Sequence, residues 1–123
     1  MPWHLTSDRP IYTQLIEQIK RKICSGVYPP GSKLPSVRDL AREASVNPNT
    51  MQRALAKLEE DGLLYTQRTS GRYVTEDVDM IKKAKNQLAK EHIQNFLTKM
   101  AELGFDYDEI LSIISSMAKE MKK

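Results

Sequence analysis

Residues 34–64, LPSVRDLAREASVNPNTMQRALAKLEEDGLL, admit few folds. Apolar residues recur at helical spacing in two short runs, first Val37, Leu40, Ala41 and Ala44, then Met51, Ala54, Leu55 and Leu58, so each run buries one stripe. Ser45-Val46 is the turn between them. Ser36 starts the first helix with Asp39 three residues on, a capping-box variant with Asp in place of Glu. Asn47 caps the second helix and Pro48 takes its first position, where a missing N–H costs little. Asp61-Gly62 ends it. Two short helices with a tight turn make a helix-turn-helix, whose second helix offers its N-terminal polar side chains to the major groove of DNA.

The flanks complete a domain. Upstream, Tyr12, Leu15, Ile16, Ile19 and Ile23 form one helical stripe. Asp8 is placed to cap this helix with Pro10 in its first turn, and Gly26 ends it. Pro29-Pro30-Gly31 forbids continuation. Trp3-His4-Leu5 reads as a short strand or an anchor. Downstream the period shortens: residues 63–67 and 72–75 are β-prone, and Arg68-Thr69-Ser70-Gly71 is a turn in which Gly supplies positive φ. Helix, helix, helix, hairpin is a winged helix-turn-helix. The chain is therefore expected to be mainly α with a small β-wing, residues 1–75 forming the winged domain.

Residues 76–123 read as helical. Asp77 or Asp79 can cap a long helix carrying Ile81, Leu88, His92, Ile93, Phe96, Leu97, Met100 and Leu103. Leu103-Gly104-Phe105 breaks it, and Asp106 caps a last helix carrying Tyr107, Ile110, Leu111, Ile114, Met117 and Met121. Two amphipathic helices cannot enclose a sizeable core alone. Leu88, Phe96, Leu97, Ile110, Ile114 and Met117 are therefore assigned to a dimer seam with a second copy of the chain, the alternative being a satellite packed back on its own winged domain, and His92 is expected to be a core or interface residue partly buried along that stripe.

Composition excludes several other classes. Cys24 is the only cysteine among 123 residues, so no intrachain disulfide forms and a reducing compartment is the simpler expectation. Lying among Ile19, Ile23 and Val27, it reads as a small apolar residue and not a nucleophile. No apolar run approaches the ~20 residues needed to span a bilayer, and MPWHLTSDRPIY has neither a basic nor an apolar signal region; a cytoplasmic protein without a membrane partner is expected. The histidines, His4 and His92, fall in different segments, which leaves no zinc spacing. No nucleophile elbow or glycine-rich phosphate loop occurs, and Glu59-Glu60-Asp61 reads as a solvated helix end. Neither catalytic residue, metal nor cofactor is assigned, and no enzymatic activity is expected. Residues 1–75 carry eleven Lys/Arg against seven Asp/Glu, whereas the tail carries eight against nine. A basic front half suits a polyanion.

The candidate contacts to double-stranded DNA follow from these placements. Asn47, Asn49, Thr50, Gln52 and Arg53 are the polar residues at the start of the reader helix; Asn and Gln pair with adenine, Arg with guanine. Ser36 and the backbone N–H groups at the two helix starts can hold phosphates. Arg38 projects from the preceding helix. Arg68, Thr69, Ser70, Gly71 and Arg72 form the wing tip, within reach of phosphate or minor groove. Taken singly, each has a plainer reading as a helix cap, a solvated arginine or an ordinary hairpin. Their order along one scaffold is what favours DNA. A winged-helix protein-interaction module without sequence-specific DNA binding is the alternative.

This order also resembles a family. Pro10-Ile11-Tyr12-Thr13-Gln14-Leu15, the run Pro29-Pro30-Gly31-Ser32-Lys33-Leu34-Pro35-Ser36-Val37-Arg38-Asp39-Leu40-Ala41, Asn47-Pro48-Asn49-Thr50 and Leu58-Glu59-Glu60-Asp61-Gly62 resemble the DNA-binding domain of GntR-type bacterial transcription regulators over roughly residues 10–75. The resemblance implies a winged helix-turn-helix that binds operators as a dimer, with Arg38, Asn49, Thr50, Gln52 and the wing around Ser70 and Gly71 at the DNA. Many members carry Arg where this chain has Pro48 and Gln52, a departure that shifts readout toward Arg53, Arg38 and Asn49. A tail of 48 residues resembles the short two-helix YtrA-type branch, implying dimerisation through the tail and a place beside transporter genes; repression, by competition with polymerase for promoter DNA, is the expected mode of action. A small-molecule effector is compatible with such a tail without being specified by it.

Overall fold

Burial of one stripe from each of two helices places the reader. The computed structural model describes residues 3–122. Leu15, Ile19 and Ile23 of α1 (Ile11–Cys24) pack with Met51, Ala54, Leu55 and Leu58 of α3 (Pro48–Glu60), all at most 2% exposed. Leu40, Ala41 and Ala44 of α2 (Val37–Ala44) close the same core, while Val37, expected inside, is only half-buried at its edge. Such stripes are the main source of stability for helices too short to persist alone.

The helix ends are set mostly by side chains read from the sequence. Ser36 and Asn47 cap α2 and α3, and Pro48 opens α3. Gly26 and Gly62 take positive φ just past α1 and α3. Asp8 does not cap α1. Pro10 occupies the N-cap with φ −55° and ψ 134° and has no acceptor side chain; Asp8 lies two residues too early and accepts a hydrogen bond from the Thr6 hydroxyl. At the α2–α3 elbow, Ser45 adopts φ 56°, and the Val46 N–H donates to the Ala41 carbonyl at 2.9 Å, the helix-ending arrangement usually built on glycine.

Residues 3–9 form an anchor and no strand. Gln14, buried within α1, accepts from the Thr6 N–H (2.7 Å) and donates to the Thr6 and Arg9 carbonyls (both 2.8 Å). One turn on, Gln18 accepts from the His4 N–H and donates to the His4 carbonyl. One turn further, the Lys22 ammonium lies 3.5 Å from the centre of the Trp3 ring. Two amide side chains thus meet the backbone as a neighbouring strand would.

The wing pairs β1 (Leu64–Gln67) antiparallel with β2 (Gly71–Val74), Tyr65 opposite Tyr73 and Thr66 opposite Arg72. Leu63 precedes the ladder as a buried residue, and Thr75 follows it. Beyond the expected hairpin, Ser32–Leu34 runs along the outer edge of β2. The Leu34 N–H donates to the Arg72 carbonyl and the Val74 N–H to the Ser32 carbonyl, both at 2.9 Å.

Two compact units divide at Lys85 and Asn86, inside α4 (Val78–Glu102). In the first, Met80, Ile81 and Ala84 of α4 pack on the winged core, and Asp77 accepts from the Asp79 and Met80 N–H groups. The second contains the rest of α4 and α5 (Tyr107–Met121), which opens on a full capping box between Asp106 and Glu109. Ile110 is the fully buried side chain there; His92, expected to be partly covered, is exposed.

Gln14→Ala strands two carbonyls and an N–H, and is expected to lower unfolding free energy by about 1–3 kcal/mol. Gln18→Ala, at the exposed end of the clasp, should cost less than about 1 kcal/mol. Equal urea midpoint shifts for the two variants would contradict this account of the anchor.

Candidate nucleic-acid interface

Capping and burial together orient the polar residues of α3. Asn47 Oδ1 accepts from the Asn49 N–H at 2.7 Å, satisfying one of the unpaired donors of the first turn. With Met51, Ala54, Leu55 and Leu58 turned inward, Asn47, Asn49, Gln52 and Arg53 are exposed and Thr50 is half-buried. Ser36 Oγ accepts from the Asp39 N–H at 3.1 Å, which leaves its hydroxyl hydrogen free to donate. The Asp39 carboxylate lies 3.5 Å from Arg42, so the capping-box variant is filled from one side.

The wing is tied to the reader by a chain of polar contacts. Thr66 and Arg72 are cross-strand partners, so their side chains share one face of the wing. The Thr66 hydroxyl donates to Glu59 Oε1. Glu59 Oε2 lies 3.6 Å from Arg72 Nε, and Arg72 Nη1–H donates to Gln52 Oε1 at 3.1 Å. Gln52 and Glu59, two turns apart, sit on the same side of α3. Arg72, expected at the wing tip, is thereby drawn toward α3 with a side chain only 16% exposed. On the other wing face Tyr65 and Tyr73 stack with centroids 5.7 Å apart, and the Ser70 and Tyr73 hydroxyls are 2.9 Å apart.

The remaining arginines divide into two kinds. Arg53 lies over the Tyr12 ring at 4.8 Å, a cation–π contact that turns it toward α1. Arg38 and Arg68 are exposed, and among the described residues neither has a carboxylate within ion-pair distance. Uncompensated guanidinium groups suit phosphate. A groove of about 620 Å3 gathers Ser36, Gln52, Ser70, Gly71 and Arg72 from the α2 start, the reader and the wing, and Lys33 also lines it. Arg38, Asn47, Asn49, Thr50, Arg53, Arg68 and Thr69 lie outside it. Lys33, Glu59, Thr66 and Tyr12 escape sequence reading; only the β-pairing of residues 32–34 brings Lys33 to the site, its Cε 3.3 Å from where a Gly71 Cβ would stand.

Burial pushes the Cys24 thiol up, away from the reactive thiolate. Among the described residues, no group of three His, Cys, Asp or Glu is arranged to hold a metal.

Residues 11–74 match the model of the bacterial regulatory proteins of the gntR family. The chain belongs to the GntR family. It is 32% identical to the HTH-type transcriptional repressor YtrA of Bacillus subtilis, over 94% of this chain and 90% of that one. A GntR family transcriptional regulator from Listeria monocytogenes has the same fold, with a TM-score of 0.84 at 40% identity, over 91% of this chain and 98% of its own. The DNA-binding domain of AraR in complex with operator ORX1 matches 58% of this chain and 87% of its own at 30% identity, with a TM-score of 0.53. This GntR protein is a DNA-binding transcription regulator built on a winged helix-turn-helix, and its family does regulation, not catalysis.

Capping and reading are separable in α3. Asn47→Ala should reduce stability by about 1 kcal/mol through loss of the cap, whereas Asn49→Ala, exposed and uninvolved in capping by its side chain, should stay within about 0.5 kcal/mol. Guanidinium unfolding of both variants checks the distinction.

Proposed function

We propose that this GntR protein is a cytoplasmic homodimeric repressor that binds a two-fold operator, with a transporter operon as the target class its resemblance implies. The carrying observation is the exposed polar start of α3 together with exposed, uncompensated Arg38 on α2 and Arg68 in the turn of the wing. In this scheme Asn47, Asn49, Thr50 and Gln52 face base edges in the major groove. Ser36, Arg38, Arg68, Thr69, Ser70 and Gly71 hold phosphates or reach the minor groove. Arg53 serves from the α1 side, where its contact with Tyr12 keeps it within reach of the backbone. The relatives' names support regulation and repression, and the AraR structure, solved with an operator, supports this use of the shared domain. Among the described residues, no helix is long and apolar enough to cross a membrane.

The tail supplies the reason for a dimer. In one chain Phe96, Ile114 and Met117 remain 40%, 44% and 59% exposed, and Leu111 61%. No residue of α4 is fully buried. Full burial of such a side chain contributes about 1.5–3 kcal/mol, of which each forgoes roughly half, and a second copy would cover the stripes of both chains. Leu88 and Leu97 are half-buried and would join that seam; Ile110, already buried within its own chain, would support it from below. A groove of about 580 Å3 within the tail, lined by Leu97, Ala101, Phe105, Tyr107 and Ile110, is where an effector would enter. A two-fold dimer sets its readers one DNA turn apart, ~34 Å, and blocking a promoter follows from occupying that length of duplex.

Three outcomes test the proposal. Asn49→Ala should weaken binding to an operator selected from random DNA by about 1–3 kcal/mol while leaving binding to random duplex unchanged; an equal loss on both would reduce Asn49 to a backbone contact. Affinity should fall steeply and linearly on a log–log salt plot, and a flat response would remove the phosphate contacts. Phe96→Asp with Ile114→Asp should yield monomers by sedimentation, with a circular-dichroism spectrum showing the winged domain still folded; a dimer surviving both changes would move the seam elsewhere.

A further inference from the structure

The arginine that braces the wing also fixes which half of the Gln52 amide is available. Gln52 is exposed on the reader face, and its Oε1 accepts from Arg72 Nη1–H at 3.1 Å. A guanidinium has donors only, so Arg72 can be satisfied by the oxygen of Gln52 and never by its NH2. Arg72 is itself restrained. It is 84% buried by its neighbours' cover, 16% exposed, and its Nε lies against Glu59 Oε2 at 3.6 Å. Glu59 in turn accepts from Thr66, the cross-strand partner of Arg72. The amide therefore has one orientation, with its oxygen turned to the wing and its NH2 turned away.

A free glutamine reads adenine by using both halves, the oxygen accepting from N6–H and the NH2 donating to N7. Held by Arg72, Gln52 has one of its oxygen's two lone pairs engaged and that oxygen drawn to the wing, so the half of the amide left turned away from the wing is its NH2, which donates. The base edge that matches donors alone is guanine, with acceptors at both N7 and O6 and no major-groove donor. We propose that Arg72 is a specificity-determining residue that never touches the base: it converts Gln52 from an adenine reader into a guanine reader. The proposal rests on the reading that the start of α3 enters the major groove.

The test is selection of bound duplexes from a random pool, compared among the native chain, Gln52→Ala and Arg72→Met. Methionine retains a long apolar stem but donates no hydrogen bond. The position that loses its base preference in Gln52→Ala identifies the base read by Gln52. At that position the native chain should prefer guanine over adenine, and Arg72→Met should shift the ratio toward adenine by about ten-fold, within the range one bidentate pair discriminates. A native preference for adenine, or an Arg72→Met preference identical to the native one, overturns the proposal. So does a Gln52→Ala pool that keeps every preference of the native pool. Should Arg72→Met fail to fold by circular dichroism, Arg72→Gln decides instead. Its amide can donate or accept, so it releases the orientation, and an unchanged guanine preference in this variant again overturns the proposal. Failure of the native chain to select any sequence would overturn the underlying reading of α3, an outcome distinct from selection of a consensus with the wrong base.

Discussion

The packing of α3 on α1 is the contact on which the interface depends. Met51, Ala54, Leu55 and Leu58 are held against Leu15, Ile19 and Ile23, so the helix cannot roll without exposing its stripe. A roll of one residue, about 100° at 3.6 residues per turn, would carry Asn49 and Gln52 off the reading face. The apolar stripe thus determines polar geometry. The residues proposed to read DNA are oriented by side chains buried beneath them.

Much of this was legible because helix ends are written in local chemistry. Ser36, Asn47, Pro48, Gly26 and Gly62 act through bonds to near neighbours or through their own φ, and the structure places them as their sequence neighbours require. Asp8 misled for the same reason in reverse. Its type suits a cap, but the proline two residues on takes that position. The less legible features depend on contacts between distant segments. An arginine flanking a hairpin tip looks the same in sequence whether it faces a phosphate or a carboxylate, and only the register placing Arg72 opposite Thr66, over Glu59, sends it to α3. Likewise nothing in Lys33 announces that Ser32–Leu34 will pair with β2. His92 shares its spacing with a stripe whose cover is absent from a single chain.

The two units face opposite demands. In the first, nearly every large apolar side chain is enclosed, and polar groups do the work at its surface. In the second, local structure is well specified by Asp106, Glu109 and Gly104, but Phe96, Leu111, Ile114 and Met117 stay uncovered, so its apolar surface is not used up by its own fold. Local order and unspent apolar area together describe an element whose helices form readily and whose exposed stripe is the ground of the proposed dimer.

The elbow between α2 and α3 has a consequence for how sharply the reader is held. Ser45 is the non-glycine residue with positive φ among the described residues. For a residue with a Cβ the left-handed basin is small and costs roughly 1 kcal/mol to enter, whereas glycine would roam a broad region at little cost. A glycine elbow would be less strained and looser; a serine elbow is strained and narrow. Since α2 carries Arg38 and α3 carries Asn49, the angular spread at Ser45 becomes positional spread between the proposed backbone contact and the proposed base contact. The chain gives up some stability at one residue, and the spacing between Arg38 and Asn49 is held more narrowly in return.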